Sequence, residues 1–400
     1  MTEHPKGWVV RRIEEAAEVC GGIQKGPHRA PGANAARYLT VAHVQRNRIL
    51  TGDPRYFQVS AGEFDRWRLL PGDVLIVEGN GSPEEIGRTA LFRGEISDCV
   101  YQNHLIRVRP NPSLLNSEFL NAYLNSSIGR AAVKAQSSTS SGLRTLSVGR
   151  IRQIPVPCPP IAEQARLSKV IGTWDEAIGI GELRLGAAVR RKRGLMQQML
   201  TGRRRFKEFK GERWRTWRLG DLFKERVEIG RTDLPLVAIT GQNGVVPRDT
   251  LEKRDTSSED KSKYLRIAPG DIGYNTMRMW QGVAGLSKIE GIVSPAYTIC
   301  IPNERIHARF AAYLFKHAPM INLFRRYSQG LVDDTLSLKF PSFAEIHLTI
   351  PGVPEQRRIA AVLETCDGEI ELLEKQLAAL KEQKRGLMQK LLTGEVRLKG

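Results

Sequence analysis

The chain has 400 residues, with 61 Lys and Arg against 43 Asp and Glu for a net charge of +18. That length suits two or three domains, each able to bury a core, and the positive excess points to a polyanion such as nucleic acid or an anionic surface. No apolar run approaches membrane-spanning length, the start MTEHPKGW lacks a signal peptide's apolar core, and five scattered cysteines without C-x-x-C spacing argue against a zinc site or disulfide framework. A soluble cytoplasmic protein with buried thiols is expected.

A first head opens on WVVRRIEEA at residue 8 and continues through the β-like runs YLTVAHV, DVLIVEG and NHLIRVR. One amphipathic helix, around Ser117 to Ala135, is expected to close its body. The proline-rich lead-in PVPCPP then stops the chain from continuing helically.

After it, Leu167, Ile171, Trp174, Ile178, Gly181, Leu185, Ala188, Lys192, Leu195 and Met199 step by alternating fours and threes. This heptad pattern holds a narrow seam along one side of a helix. Roughly 38 residues at about 1.5 Å each make a rod near 57 Å, and Gly202 sits where a left-handed C-terminal cap would go. From Arg190 to Arg218 there are twelve basic residues and two acids, Glu208 and Glu212, more than half of the chain's excess charge. Arg203, Arg204 and Arg205 in this stretch are candidate phosphate contacts, which supply affinity and position without sequence information.

The pattern then starts again. WRTWRLGDL at 214 opens a second head with the runs LPLVAIT, DIGYN and AYTICI, a helix is expected from Ile306 to Phe324, and IPGVP leads into a second heptad segment. Its seam is Ile359, Leu363, Cys366, Ile370, Leu373, Leu377, Leu380, Lys384, Leu387 and Leu391, with Gly394 as cap. KRGLMQQMLTG at 192 to 202 returns as KRGLMQKLLTG at 384 to 394, and at the same offset Glu163-Gln164 answers Glu355-Gln356, while Asp175 answers Asp367. Looser matches join the heads: Pro71-Gly72-Asp73 with Pro269-Gly270-Asp271, and Thr145-Leu146-Ser147 with Thr335-Leu336-Ser337. The chain is thus two copies of one unit.

Two equivalent seams can cover one another, and antiparallel pairing would place the heads at opposite ends about an internal pseudo-two-fold axis. Removing one heptad from both helices should then shorten the distance between the heads. The expected architecture is α+β: a recognition head over 1–158, a long helix over 159–202, a basic linker over 203–213, a second head over 214–350, a second long helix over 351–394 and a tail over 395–400. Gly194 and Gly386, mid-helix glycines costing about 1 kcal/mol each against alanine, suggest close approach of another surface.

If the polyanion is duplex DNA, its sequence would be read by head side chains that can pair with base edges. Candidates are Asn80, Ser82 and Arg88 after the first PGD strand, and Asn275, Arg278, Trp280 and Gln281 after the second. A further group is Ser138, Ser140 and Arg144 in SSTSSGLRTLS, matched by Tyr327, Gln329 and Asp333 around SQGLVDDTLS.

Chemistry-bearing motifs are missing. The nearest string to an amino-methyltransferase loop, Asn111-Pro112-Ser113-Leu114, fails at two places. The chain lacks a G-x-x-x-x-G-K-S/T loop and His-x-x-x-His spacing, so metal ligands are not expected. Glu382-Gln383-Lys384 has no paired acid in a suitable strand to make a nuclease centre. A non-catalytic protein is expected.

A head with PGD before an apolar strand, a later Gly and T-L-S, a proline-rich turn, E-Q, and a long helix ending in L-x-T-G, all present twice, resembles the specificity subunits of Type I restriction-modification systems. The resemblance covers essentially the whole chain. It implies target recognition domains that each read half of a split DNA site, and helices that space them and dock two methyltransferase subunits, with restriction subunits as further partners. S-adenosylmethionine, ATP and magnesium would be held by those partners, and no cofactor by this chain. Docking candidates are Glu163, Gln164, Gly194 and Met196 with their repeats Glu355, Gln356, Gly386 and Met388. Gly142 and Gly330 stand where the family often has a Thr/Gln-rich turn. Rival readings are a specificity subunit of another multisubunit restriction type, and a stand-alone DNA-binding protein.

Overall fold

The computed structural model describes the chain apart from residues 1–4, 33, 54, 81–84, 141–142, 242, 252–259, 333–334 and 399–400. It divides into two compact units, residues 1–182 with 375–400, and residues 183–374. Both long helices are cut near their middles by this division: Ile161–Met199 and Val353–Thr393 each contribute one half to either unit. The expected six-segment order along the chain therefore becomes, in space, a head plus half of each helix.

Unit 1 is built on a four-stranded antiparallel sheet in the order Ala17–Gly21, Leu105–Pro110, Val74–Val77, Thr89–Leu91. Unit 2 repeats the order with Phe223–Glu225, Tyr297–Pro302, Ile272–Asn275 and Ala284–Leu286. The central strand of each sheet follows the PGD turn, and the turn explains itself. Gly72 and Gly270 take φ +101° and +95°, where a Cβ is strained, and the aspartate that follows is buried. Asp73 accepts from the Leu70 N–H and both arms of Arg109; Asp271 accepts from the Ala268 N–H and both arms of Arg226. A buried carboxylate is tolerable here because bidentate arginine and a backbone donor satisfy it.

The two-stranded sheet Val9–Arg12 with Pro155–Cys158 repeats as Arg215–Arg218 with His347–Ile350, and the other sheets differ between the units. Unit 1 adds a three-stranded sheet, Cys99–Tyr101, Ala35–Leu39, Arg55–Gln58, where unit 2 has the hairpin Val237–Thr240 with Gly244–Pro247 and the pair Leu265–Ile267 with Gly291–Val293. Each expected closing helix is in fact two. Ser117–Asn125 and Ser127–Gln136 are split at Ser126, whose extended backbone lets its hydroxyl accept the Gly129 N–H. Ala308–Phe315 and Ala318–Tyr327 are split before His317, with a proline in the first turn of the second helix. Four of the five cysteines are buried thiols and Cys20 is half-buried.

Antiparallel pairing of the helix halves holds inside each unit. In unit 1, Asp175 meets Lys384 and Glu182 meets Lys381, while in unit 2, Arg191 meets Glu369 and Lys192 meets Asp367. Rising numbers on one helix thus face falling numbers on the other. The seam lysines of the heptad pattern, Lys192 and Lys384, are neutralised by the two aspartates that recur at the same offset. Gly181 marks a close approach in unit 1, since a Cβ there would lie 3.3 Å from Leu377 Cδ1. The seam ends pack into the heads. Leu167, Ile171, Met388, Leu391 and Leu392 belong to the core of unit 1, and Met199, Leu200, Ile359, Ala360 and Leu363 to that of unit 2. Gly202 and Gly394 take φ +72° and +78° as helix caps.

Candidate nucleic-acid interface

The E-Q pair that opens each long helix is the most regular feature of the molecule. Gln164 and Gln356 are fully buried. Gln164 Oε1 accepts the Asn116 N–H at 2.8 Å and its amide donates to the carbonyls of Leu114 and Pro159. Gln356 repeats this with the His307 N–H and the carbonyls of Arg305 and Pro351. The glutamates, 3% and 1% exposed, take a bidentate arginine from beyond the cap of the other helix: Glu163 from Arg397, Glu355 from Arg205. Trp214 Nε1 also donates to Glu355.

This corrects several expectations. Glu163, Gln164, Glu355 and Gln356 are internal latches, spent within the chain, and their side chains present nothing to a partner subunit. Met388 is 7% exposed in the core of unit 1, and Met196 packs, partly buried, on that of unit 2. Arg205 is no phosphate contact, because its guanidinium is held by the buried Glu355 and the Glu212 carbonyl. Arg203 and Arg204 remain exposed. The basic linker and the tail are both structured, the first by the edge-to-face pair Phe206 and Phe209 and the second by Arg397 and Leu398. Gly194 and Gly386 have nothing within 4 Å of an added Cβ, so no approach within the chain demands them.

Within head 1 the two predicted loop groups form one ribbon. Strand Gly79–Asn80 pairs with Leu143–Thr145, which pairs with Ser138–Ser140, setting Asn80 opposite Arg144 and Ser140 opposite Leu143. Ser82 lies outside the described residues, as do the side chains of Asn80, Ser138, Ser140 and Arg144. Arg88 is a correction: it is 8% exposed, and its guanidinium donates to the Val41 carbonyl at 2.9 Å and to Glu85. It braces the loop and does not reach outward.

Head 2 brings its groups together in the same way. The backbone bridge between Gln329 and Ser337 continues to Leu338, whose N–H donates to the Thr276 carbonyl, so the turn after Tyr327 lies against the loop that carries Arg278 and Gln281. Arg278, Gln281, Tyr327 and Gln329 are exposed. Asn275 is partly spent on the loop itself, since its Oδ1 accepts the Met277 N–H. Trp280 is a platform, its Nε1 donating to the Met277 carbonyl and its ring carrying the Arg325 guanidinium at 5.5 Å. Asp333 lies outside the described residues. Sequence reasoning missed Arg325 and Arg326, exposed in the last turn of Ala318–Tyr327, and the exposed apolar residues Met277, Leu331 and Val332. The available signal was the Gly-Leu dipeptide shared by both turns.

In head 2 this surface offers exposed amide, guanidinium and phenol groups on two adjoining loops. Among the described residues no group of three or more His, Cys, Asp or Glu could hold a metal ion, and no helix is long and apolar enough to cross a membrane.

Residues 5–187 match the family model of the Type I restriction modification DNA specificity domain. The putative type I restriction enzyme MjaX specificity subunit of Methanocaldococcus jannaschii is 22% identical over 99% of this chain and 95% of its own length. Two solved structures share the fold. One, titled for complex assembly and conformational transition of the type I R-M system, is 13% identical with a TM-score of 0.57, covering 98% of this chain and 100% of that one. The other, the Type-I restriction-modification system S subunit from M. genitalium, is 12% identical with a TM-score of 0.55 and covers 96% of each chain. With its duplicated heads and antiparallel helix halves, this chain is similar along nearly its whole length to specificity subunits of Type I restriction-modification systems, and its residues 5–187 match that family's DNA specificity domain.

Proposed function

We propose that this chain reads an asymmetric, two-part DNA target, with one head per half-site, and brings methyltransferase subunits to it without doing chemistry itself. The observation that carries this is the meeting of the same two loop groups in each of two heads whose loop sequences differ. Arg278, Gln281, Tyr327 and Gln329 would pair with base edges in one half-site, and the Asn80 and Arg144 ribbon in the other. Arg203 and Arg204 would neutralise phosphates. S-adenosylmethionine, ATP and magnesium would be held by partner subunits, and restriction subunits would join the same assembly.

Partner docking moves off the buried latch and onto the outer faces of the long helices. Ile180 and Leu372 stand at the repeat offset and are both more than half exposed, at 53% and 56%. A matched exposed aliphatic on each copy supports two like partners, one per repeat. Gly194 and Gly386, open on their outer sides, would admit a partner backbone at the same two places.

The test is long-read detection of modified bases in DNA from a methylation-free host that expresses this chain with its neighbouring methyltransferase, or that enzyme alone. A split motif modified only when the chain is present is the expected result. An active methyltransferase that co-purifies with the chain yet modifies no split motif would overturn the reading.

A further inference from the structure

We propose that Leu331 is an apolar wedge that enters the base stack of duplex DNA beside the bases that head 2 reads, an inference that rests on the DNA-recognition function above and deepens it. Leu331 is 101% exposed and Val332 61%, on a surface that also exposes Met277 and Tyr327. An exposed leucine on a loose loop needs no explanation, because the loop can fold it away. This turn cannot.

Gln329 and Ser337 exchange both backbone hydrogen bonds, at 2.9 and 2.8 Å. Thr335 closes the tip, its N–H and hydroxyl donating to the Val332 carbonyl and its Oγ1 accepting the Val332 N–H. Gly330 takes φ +148°, and a Cβ there would lie 2.6 Å from the Thr335 carbonyl oxygen, so the bend admits only glycine. Leu336 and Leu338, buried beneath, anchor the turn. The leucine is therefore presented, held out in water by a braced frame.

The surroundings identify what covers it. Arg278, Arg325 and Arg326 are exposed around the same surface, and Arg325 is oriented by the Trp280 ring. Arginines on the elements that flank an apolar turn suit a polyanion whose interior is apolar, which is the nature of a stacked duplex, and side chains of leucine type unstack base steps when inserted. Head 1 carries the same dipeptide, Gly142-Leu143, ahead of its own T-L-S, as Gly330-Leu331 precedes Thr335 to Ser337.

The test uses the full chain with its methyltransferase and a duplex bearing the motif named by the long-read mapping. The fluorescent base 2-aminopurine is placed in turn at each step of the head 2 half-site other than the methylated base. The wild type should raise fluorescence at one step. Leu331→Ala should abolish that rise and weaken binding about tenfold, equivalent to about 1.4 kcal/mol, while Leu331→Phe should retain both. An unchanged rise with Leu331→Ala would overturn the proposal, and so would loss of methyltransferase co-purification with the fluorescence intact, which would make Leu331 a protein contact. Failure to find any motif would instead overturn the recognition function on which the wedge depends.

Discussion

In unit 2, Tyr313 donates its phenol to Asp367 at 2.5 Å beneath the Lys192 ammonium, which lies 5.4 Å from the ring centre. Burial and then the neighbouring carboxylate push the phenol's pKa up, so it keeps its proton and remains a donor at any physiological pH. In unit 1 the same carboxylate and ammonium recur as Asp175 and Lys384, but Ala122 stands at the matching helical position. What unit 2 fills, unit 1 leaves open as a cavity of about 640 Å³ lined by Asn47, Asn121, Ser168, Ile171 and Asp175 among others. The latch behaves differently and is the same in both units. Gln164 and Gln356 bond to backbone N–H and C=O groups, which every sequence supplies, whereas the crevice relies on one side chain meeting another. Heads can therefore diverge to read different bases without loosening the frame that holds them.

The largest effect should come from the latch itself. Arg205→Ala leaves Glu355 buried without its cation and is expected to cost about 3–5 kcal/mol, the range for stripping one partner from a buried pair. Arg397→Ala should cost clearly less, because Arg397 is 46% exposed against 16% for Arg205. Denaturant unfolding of the two variants ranks them, and equal losses would refute the asymmetry.

At the crevice, Tyr313→Ala should destabilise unit 2 by about 2–4 kcal/mol through lost packing and an unsatisfied carboxylate. Ala122→Tyr should be neutral or stabilise unit 1 by under about 1 kcal/mol, since the cavity already holds the acceptor. Hydrogen exchange read separately over 117–125 and 308–315 separates the two effects, and a strongly destabilising Ala122→Tyr would show that unit 1 is not the unfilled copy of unit 2.

Arg88→Ala extends the comparison to the loops. Because Arg88 braces Val41 and Glu85, the variant should lower stability by about 1–3 kcal/mol, the cost of breaking buried hydrogen bonds, and leave the bases of the target unchanged. A changed motif at unchanged stability would return Arg88 to the reading surface.

The smallest expected effect is a pH dependence local to the short helix Ala61–Trp67 of unit 1. The Arg29 guanidinium, with the Ser60 backbone N–H, holds Glu63 well below the usual carboxylate range, at about 2. A depressed carboxylate contributes stability that is present above its unfolded pKa, near 4.3, and is lost as the pH falls through the folded value. Protection factors of the amides over Ala61–Trp67, with the intrinsic pH dependence of exchange divided out, should thus be flat above about pH 5 and fall on acidification, whereas a fall on going alkaline would contradict the sign.

The helices were legible in the sequence because periodicity is a local property: the alternating fours and threes name the buried positions, and Lys192 and Lys384 stand in the seam as the pattern places them. The PGD turn and the doubled architecture were equally plain. Burial across the chain was not. Arg88 and Arg205 read as surface cations because their acceptors, Val41 and Glu355, lie 47 and 150 positions away. Recurrence of Glu163-Gln164 showed that the pair matters but not that it faces inward. Leu331 was passed over because an apolar residue in a polar turn carries no periodic signal, and only the bracing of the turn gives it meaning.

The claim that each head reads its own half-site is tested most directly by long-read mapping of the motif modified when Arg278→Ala and Gln281→Ala are combined in the full chain beside its methyltransferase. The prediction is a motif relaxed or altered in one half, with the other half and the gap unchanged. A motif altered equally in both halves, or one untouched at full modification, would contradict it.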